Sequence, residues 1–284
     1  MLPMLATPST FTPTGEEWVH EVKWDGIRIL YDATREGAEV RVRLSTRNDN
    51  DVTRDWPDLS GAAPGRDLLV DGELFALNER GVPDFRNLRK GGAATFVVFD
   101  LLRLDERDVT SLPWHERRAL LDGAGLPWAV PDVYDDGLSL WDATAQQGLE
   151  GIVSKRRDSV YTPGRRSPHW LKRAHRHRGT YVVGGWRPQV GTTDRLAALL
   201  VGEVTPAGLA YRGRVGSGIT ASHGRMLKEI LVETGTSPFV DEVPKLDAKG
   251  THWVEPTLMV EVDTHGSGYE RLRQPSFRGV RADG

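Results

Sequence analysis

The chain contains no cysteine among its 284 residues. This absence excludes disulfide bonds, a thiol nucleophile and a zinc site built from cysteine thiolates. No apolar run approaches the roughly 20 residues that a membrane-spanning helix needs, and the start of the chain lacks the basic-then-apolar pattern of a secretion signal. We therefore expect a cytoplasmic protein whose covalent chemistry, if it has any, uses a nucleophile other than a thiol.

The charge of the chain is nearly balanced overall but is unevenly distributed. Lys and Arg number 37 against 40 Asp and Glu, which gives a formal net charge of −3. From Lys155 to Arg178, however, there are nine Lys or Arg residues and a single acid, Asp158. This basic stretch favours a surface that faces phosphates, although a solvated basic loop has the same composition.

Short segments that alternate apolar and β-branched residues predict strands in the first part of the chain. Helical periodicity is clearest at 114–121 and 139–148, with Ser139 in the position of an N-cap. These patterns predict an α+β domain with an antiparallel-rich sheet over residues 1–178. The predicted strands are 18–23, 27–31, 40–44, 68–77 and 96–102.

The remaining residues, 179–284, show short strands with one amphipathic helix among them. We predict strands at 181–186, 196–204, 209–215 and 258–262, and a helix at 222–233. This combination is typical of an OB-fold β-barrel, a fold that often holds oligonucleotides. A chain of 284 residues is long enough for two domains of this size.

The first segment that can carry chemistry is 23–28, which begins with Lys23 and ends with Arg28 between two predicted strands. A lysine at such a turn can attack phosphorus as an amine nucleophile once it has lost its proton. Because an ordinary lysine is protonated at neutral pH, this requires nearby cations, such as Arg28 or a bound metal. Alternatively, Asp25 and Gly26 simply form the turn of a β-hairpin.

Five further segments follow in order along the chain: 71–73 (Asp-Gly-Glu), 96–100, 150–155, 170–172 (Trp-Leu-Lys) and 273–283. Together with 23–28 they resemble the motifs of the covalent nucleotidyltransferase superfamily of ATP-dependent DNA ligases, RNA ligases and mRNA capping enzymes. From about residue 3 to its end, the chain is most similar to bacterial ATP-dependent DNA ligases of end joining and repair. The resemblance implies a nucleotidyltransferase (adenylation) domain over 1–178 and an OB-fold domain over 179–284.

The resemblance also implies which residues contact the nucleotide. Lys23 is expected to attack the α-phosphorus of ATP and to carry AMP. Glu21 is expected to help recognise adenine through its side chain or backbone, Phe99 to stack on the base, and Glu73 to accept hydrogen bonds from the ribose. Arg28 is expected to contact the nucleotide and the nick phosphate, since a guanidinium binds two oxygens at once.

A metal site and further phosphate contacts follow from the same resemblance. Glu150, with Asp25 sharing this role, is expected to bind Mg²⁺, which takes few protein carboxylates beside substrate phosphates. Lys172 is expected to offset charge on the phosphoryl oxygens. Arg47 is expected to hold the 5′-phosphate of the nick, although a plain turn charge is the alternative. The residues expected to orient pyrophosphate are Arg273, Arg278 and Arg281.

Two positions depart from the family pattern. Ala174 stands where the family has a second lysine, with Arg173 or His175 as substitutes, and Gly284 follows Asp283 where the family has another lysine. These differences leave open a degenerate nucleotidyltransferase fold that binds nucleic acid without catalysis.

The expected activity is ATP-dependent sealing of nicks through a lysyl-AMP intermediate, with ATP and Mg²⁺ as cofactors and nicked duplex DNA as the partner. We expect a monomer that contacts mainly the phosphates of the duplex, so that binding weakens with salt. End-joining or repair proteins are candidate partners. An RNA ligase or a capping-type enzyme with the same lysine chemistry is the alternative.

Overall fold

A computed structural model describes residues 1–37, 39–62, 64–266 and 270–281. The chain divides into two compact units, Met1–Ala174 and His175–Gly284. The predicted domain boundary between residues 178 and 179 lies inside the first strand of the second unit, His177–Pro188. Among the described residues, no helix is both long and apolar enough to cross a membrane.

The first unit combines strands with short helices, as the predicted α+β class requires. Its strands are β1 (Leu5–Pro8), β2 (Trp18–Lys23), β3 (Ile27–Glu36), β4 (Glu39–Thr46), β5 (Leu68–Ala76), β6 (Ala94–Leu104), β7 (Arg107–Asp108), β8 (Gly151–Arg156) and β9 (Arg166–Ala174). Its α-helices are α1 (Pro57–Gly61), α2 (Phe85–Arg89), α3 (Trp114–Asp122) and α4 (Gly137–Gln146).

These strands form two sheets. A four-stranded sheet has the order β1-β9-β8-β2, in which only the described pairing of β1 with β9 is parallel. A five-stranded antiparallel sheet has the order β4-β3-β5-β6-β7. Because β2 belongs to the first sheet and β3 to the second, the turn at 24–26 connects the two sheets and is not a hairpin turn.

A continuous apolar core lies along the five-stranded sheet. Alternate residues of β3 and β5, such as Ile29, Tyr31 and Val70, are fully buried, as the period of two along a strand predicts. Helix α4 begins after Asp136, whose side chain accepts hydrogen bonds from the backbone of Leu138 and Ser139. The prediction of Ser139 as the cap was therefore wrong by one turn, because the aspartate three residues earlier takes that role.

The second unit is a curled sheet with its own core. Its strands are β10 (His177–Pro188), β11 (Leu196–Thr205), β12 (Gly208–Val215), β13 (Glu233–Thr234), β14 (His252–Val254), β15 (Met259–Thr264) and β16 (Ser276–Val280). Strand β10 pairs with β11 along one edge and with β14 and β15 along the other. The helices are α5 (Ala221–Ile230) and α6 (Lys245–Ala248).

Helix α5 shows why the predicted amphipathic segment forms here. Thr220 accepts a hydrogen bond from the backbone of His223, and the His223 ring returns a contact to the backbone of Thr220, which closes a capping box. Leu227 on this helix is fully buried against core residues of the sheet such as Leu199 and Val215. The helix ends at Ile230, three residues before the predicted end.

Candidate active site

One face of the four-stranded sheet carries predicted site residues from two of its strands, β2 and β9. Residues directly opposite each other on antiparallel strands point to the same face. Lys23 on β2 is opposite Gly151 on β8, which is opposite Ala174 on β9. Two residues along, the next row of this face contains Glu21, Val153 and Lys172.

Gly151 allows β8 and β9 to lie close together in the row that contains Lys23. Its φ angle of 145° lies in a region that favours glycine. A Cβ atom at this position would lie 2.8 Å from the Cα of Ala174 and even closer to the carbonyl oxygen of Arg173. The strands β8 and β9 can therefore approach at the level of Lys23 only because residue 151 has no side chain.

Lys23 forms an ion pair with Glu150, the residue just before β8. Its Nζ atom lies 2.5 Å from Oε2 of Glu150, and the two side chains are 22% and 17% exposed. The predicted nucleophile and the predicted metal ligand therefore lie within direct contact. Both groups remain partly open to solvent, so a ligand can reach them.

Lys172 lies within the electrostatic field of the same pair. Burial lowers the pKa of Lys172, and the charges of Lys23, Arg47 and Arg166 lower it further, whereas Glu150 acts in the opposite direction. The cations expected to face phosphate thus influence one another, although their positions in the sequence are far apart. Their convergence is what a site for a polyanionic ligand requires.

Glu73 completes this group from the five-stranded sheet. Burial raises its pKa to about 8, Lys23 and Arg28 oppose that rise, and Glu150 adds to it. The Glu73 side chain is partly exposed. Its carboxyl group is therefore accessible to a hydroxyl group of a ligand.

Arg28 is held in position by a buried network. Its Nε and Nη2 atoms donate to the two carboxylate oxygens of Asp71 at 2.8 and 2.5 Å. The hydroxyl of Tyr161 donates to Asp71 at 2.6 Å and accepts from the backbone N–H of Met4 at 2.9 Å. Sequence analysis missed Tyr161, because no motif contains it and it is 90 residues from Asp71.

Glu21 forms a second buried ion pair, with Lys155. The Lys155 Nζ atom donates to both carboxylate oxygens of Glu21 at 2.8 Å, and it also donates to the carbonyl oxygen of Phe99 at 3.1 Å. Burial raises the pKa of Glu21, with Lys155 opposing, and burial lowers the pKa of Lys155. The ring of Phe99 is only partly buried and packs edge-on against Trp170, 6.3 Å between ring centres.

The predicted phosphate-facing strip at 155–178 is not one exposed surface, and this expectation was wrong in part. Lys155 is only 1% exposed. Arg156 and Arg157 form ion pairs with Asp158 and Asp135. A charge run in a strand alternates between the two faces of the sheet, so its members cannot all face the same ligand.

Asp25 and Arg47 lie in turns. Asp25 is buried in the turn between β2 and β3, where its metal role stays a prediction. Arg47 is exposed in a tight turn after β4, in which the backbone N–H of Thr46 donates to the carbonyl of Asn50. The charge of Arg47 lowers the pKa of Lys172, and its role at the nick phosphate stays a prediction.

The three arginines expected to orient pyrophosphate belong to the second unit. Arg278 on β16 donates to Asp263 at 2.6 Å, and Arg281 donates to the hydroxyl of Thr180 at 3.2 Å. The backbone carbonyl of Arg273 accepts from His265 at 3.0 Å. The end of the predicted segment, including Asp283, lies outside the described residues.

Comparison with known proteins identifies the family of this chain. The profile of the ATP dependent DNA ligase domain matches residues 3–173, and that of the ATP dependent DNA ligase C terminal region matches 192–284. The chain is 38% identical over 297 aligned residues to the multifunctional non-homologous end joining DNA repair protein LigD of Mycobacterium tuberculosis. The alignment covers 100% of this chain but 39% of that relative, so the chain spans about two fifths of its length.

Solved structures match the chain over its whole length. The ligase domain of M. tuberculosis LigD is 36% identical, with a TM-score of 0.59, and the match covers 99% of this chain and 94% of that one. A mycobacterial DNA ligase D complexed with ATP and MES is 37% identical, with a TM-score of 0.61 and coverage of 100% and 95%. The predicted α+β domain with a following OB-fold is confirmed, and the chain belongs to the family of ATP-dependent DNA ligases.

Proposed function

We propose that this chain acts as an ATP-dependent DNA ligase of end joining or repair, which seals nicks in duplex DNA through AMP carried on Lys23. The observation that supports the proposal best is the ion pair between Lys23 and Glu150, with Glu73 and Lys172 in the same field. A nucleophilic amine, acidic side chains and additional cations are the groups that phosphoryl transfer from a nucleotide requires.

Each part of the nucleotide is assigned to one of these residues. Phe99 supplies a partly open aromatic face for the base, and Glu73 supplies a carboxyl group for the ribose hydroxyls. Lys23 then lies beside the α-phosphate, and Lys172 offsets the charge that develops on its oxygens. The relative in the solved complex binds ATP, which supports ATP as the nucleotide for this chain.

The residues present suit Mg²⁺ as a partner of the substrate. No group of three or more His, Asp or Glu side chains within the described ranges forms a metal cage. Mg²⁺ is usually held by one or two carboxylates together with substrate phosphates. Glu150 would hold it, and Asp25, two residues after Lys23, would share this role. When bound, the ion supplies charge that stabilises the phosphoryl oxygens.

The Lys23–Glu150 contact also bears on how the amine is freed. A protonated Lys23 has no lone pair for attack on phosphorus, and its Nζ donates to the Glu150 carboxylate. Once Glu150 binds elsewhere, the ammonium proton passes to the solvent that reaches these partly exposed side chains, and a neutral amine is left. The amine attacks the α-phosphorus, a nitrogen–phosphorus bond forms and pyrophosphate leaves.

The later steps use the phosphate-binding arginines. The 5′-phosphate of the nick attacks the lysyl-AMP and takes AMP from Lys23, and the 3′-hydroxyl then displaces AMP to close the strand. Arg28, which Asp71 holds in position, and the exposed Arg47 are the residues that we expect to contact the phosphate of the nick. The arginines of the second unit, Arg273, Arg278 and Arg281, are proposed to orient pyrophosphate in the first step.

The substrate and the repair pathway go beyond the family assignment. The name of the mycobacterial relative supports end joining, and nicked duplex DNA is the proposed substrate. Interaction with other end-joining or repair proteins, action as a monomer and a cytoplasmic location stay predictions. An RNA ligase or capping-type enzyme, and a degenerate binding module, are the outcomes against which the activity is tested.

The decisive experiment measures the covalent adduct and nick sealing together. Wild-type protein with ATP and Mg²⁺ is expected to gain the mass of AMP and to seal nicked DNA in preference to nicked RNA. Lys23→Ala is expected to do neither, whereas Lys90→Ala, which alters an exposed lysine on the same unit, is expected to behave as wild type. Absence of the adduct in the wild type would support the degenerate module, and an adduct with GTP would support a capping-type enzyme.

A further inference from the structure

The nucleotide site contains a buried ion pair for which the reaction steps above have no use. Both oxygens of the Glu21 carboxylate accept from Lys155 Nζ at 2.8 Å, and the two side chains are 4% and 1% exposed. Buried ion pairs contribute little net stability compared with apolar residues of similar size. The presence of a charged pair at this position is therefore poorly explained by its contribution to stability.

Lys155 also contacts the residue proposed to stack on the base. Its Nζ atom lies 4.8 Å from the centre of the Phe99 ring and 4.4 Å from that of Trp170. It also donates to the Phe99 carbonyl. The Lys155 ammonium group thus contacts both Glu21, which is proposed to bind the edge of the base, and Phe99, which is proposed to stack on its face.

The charge on Glu21 depends on its neighbours. Burial favours the protonated carboxyl, and Asp100 adds to this effect, whereas Lys155 and Arg118 favour the carboxylate. Arg118 Nη1 is 3.9 Å from Glu21 Oε1, farther than Lys155, and has no hydrogen-bond partner within the described part of the chain. Lys155 is therefore the main group that opposes protonation of Glu21.

The protonation state decides which purine the carboxyl group can bind. An ionised carboxylate only accepts hydrogen bonds, and each oxygen of Glu21 keeps a lone pair beyond the one that Lys155 uses, whereas a protonated carboxyl also donates. Adenine carries an amino donor at position 6, and guanine and hypoxanthine carry an oxygen acceptor there. An acceptor-only group therefore distinguishes the two kinds of base.

We propose that Lys155 determines the base specificity of the nucleotide site, because it keeps Glu21 as an acceptor that binds the 6-amino group of adenine and rejects a 6-oxo purine. The inference rests on the proposed function, specifically on contact between Glu21 and the base. Lys155 acts through Glu21 and is a positioning residue, so its removal is expected to change the choice of nucleotide and not only the rate.

The test compares ATP with ITP, in which the 6-amino group is replaced by a 6-oxo group. The initial rate of covalent nucleotide transfer to Lys23 is measured by intact-protein mass spectrometry over a range of each nucleotide. Wild type is expected to favour ATP strongly, since a site that hydrogen-bonds a substrate amine rejects an analogue that lacks it. Lys155→Met is expected to reduce the ATP:ITP ratio of kcat/KM by about tenfold or more.

Two further variants separate specificity from folding. The double variant Lys155→Met, Glu21→Gln removes both charges, so it is expected to unfold near the wild-type temperature while the ATP:ITP ratio stays low. Leu88→Ala removes a buried side chain from the apolar core of the same unit without changing any charge near Glu21. It is expected to lower stability without changing the ratio.

The outcomes distinguish this inference from the proposed function. A wild-type ATP:ITP ratio retained in both Lys155 variants overturns the inference while leaving lysyl-AMP chemistry in place. A reduced ratio in Leu88→Ala equal to that in Lys155→Met also overturns it, because general loosening of the unit would then explain the effect. A wild-type chain that takes up neither nucleotide overturns the proposed function, and the inference with it.

Discussion

The Nζ atom of Lys23 and the Oε2 atom of Glu150 lie 2.5 Å apart, at adjoining ends of β2 and β8. The contact joins two residues that are 127 positions apart in the chain. Because Lys23 is directly opposite Gly151, the residue after Glu150, strand register brings the pair together.

Glu150→Gln removes one charge from this pair while keeping the shape of the side chain. Loss of the carboxylate removes the proposed Mg²⁺ ligand, so we expect the apparent Mg²⁺ affinity in adenylylation to fall about 10–100-fold. The measurement is the rate of AMP-adduct formation as Mg²⁺ is varied. Glu39→Gln, at an exposed position of β4, is the matched control, and an unchanged Mg²⁺ dependence in Glu150→Gln would contradict the metal role.

Glu73 should make stability depend on pH. Its pKa rises from 4.5 to about 8 on folding because of burial, so the folded chain binds more protons than the unfolded chain between these values. The stabilising contribution is complete below pH 4.5 and is lost as the pH rises through about 8. Since the side chain is partly exposed, we expect a loss of about 1–2 kcal/mol, less than the full shift implies.

Urea unfolding at several pH values tests this prediction. Glu73→Gln cannot ionise, so its free energy of unfolding should lack the decline that wild type shows between pH 5 and 9, which is about the range over which the group titrates. Glu79→Gln, which alters an exposed glutamate nearby, should keep the decline. Parallel pH profiles for wild type and Glu73→Gln would show that Glu73 titrates normally.

Arg47→Ala should weaken binding to nicked DNA through the loss of one phosphate contact. The slope of log affinity against log salt concentration is expected to fall by about 1, with little dependence on DNA sequence. Arg41→Ala is the control. Arg41 lies on β4, the strand that precedes Arg47, and it is also exposed, but it pairs with Glu36. If both variants change the slope equally, Arg47 makes no phosphate contact beyond what an ordinary surface arginine makes.

Tyr161→Phe should show how much the hydrogen-bond network around Arg28 contributes to the free energy of unfolding. Removal of one hydroxyl leaves the Met4 N–H and an oxygen of Asp71 without their buried partner, which is expected to cost about 1–3 kcal/mol of unfolding free energy. Urea unfolding measures this cost. Tyr134→Phe removes a hydroxyl from a residue that is 40% exposed and should cost much less, so an equal cost in both variants would argue against the network.

Arg278 and Arg178 provide an internal comparison in the second unit. Both donate to Asp263, but only Arg278 belongs to the segment expected to orient pyrophosphate. Arg278→Ala is expected to slow AMP-adduct formation about tenfold or more, on the scale of losing one contact to the transition state, and to leave the sealing of pre-adenylylated nicked DNA unchanged. Arg178→Ala should change neither rate, and slowing of the sealing step by Arg278→Ala would exclude a role limited to pyrophosphate.

Sequence patterns predicted the local part of this site well. The strand 18–23 and the turn at 24–26 follow from alternation and from a glycine, and they place Lys23 at a strand end. The face shared by Glu21 and Lys23 follows from their spacing of two. Because such features depend on neighbouring residues, a single segment contains enough information to predict them.

The unpredicted part depends on contacts between distant segments. Nothing in the sequence near Lys155 distinguishes it from Arg156 and Arg157, yet Lys155 points inward to Glu21, 134 residues away. The same holds for Tyr161, whose hydroxyl meets both Met4 and Asp71. Composition identified a basic stretch, but the pleat of the sheet decided which of its members became buried.

Gly151 limits how this enzyme can be altered. Its neighbours leave no room for even a methyl group beside β9, so Gly151→Ala would push β8, which follows Glu150, away from β9, which carries Lys172. Side chains around this spacing can be exchanged while the backbone spacing itself is kept. Ala174, in the row that contains Lys23 and Gly151, is such an exchange, and Ala174→Lys is the natural first substitution for engineering a faster ligase.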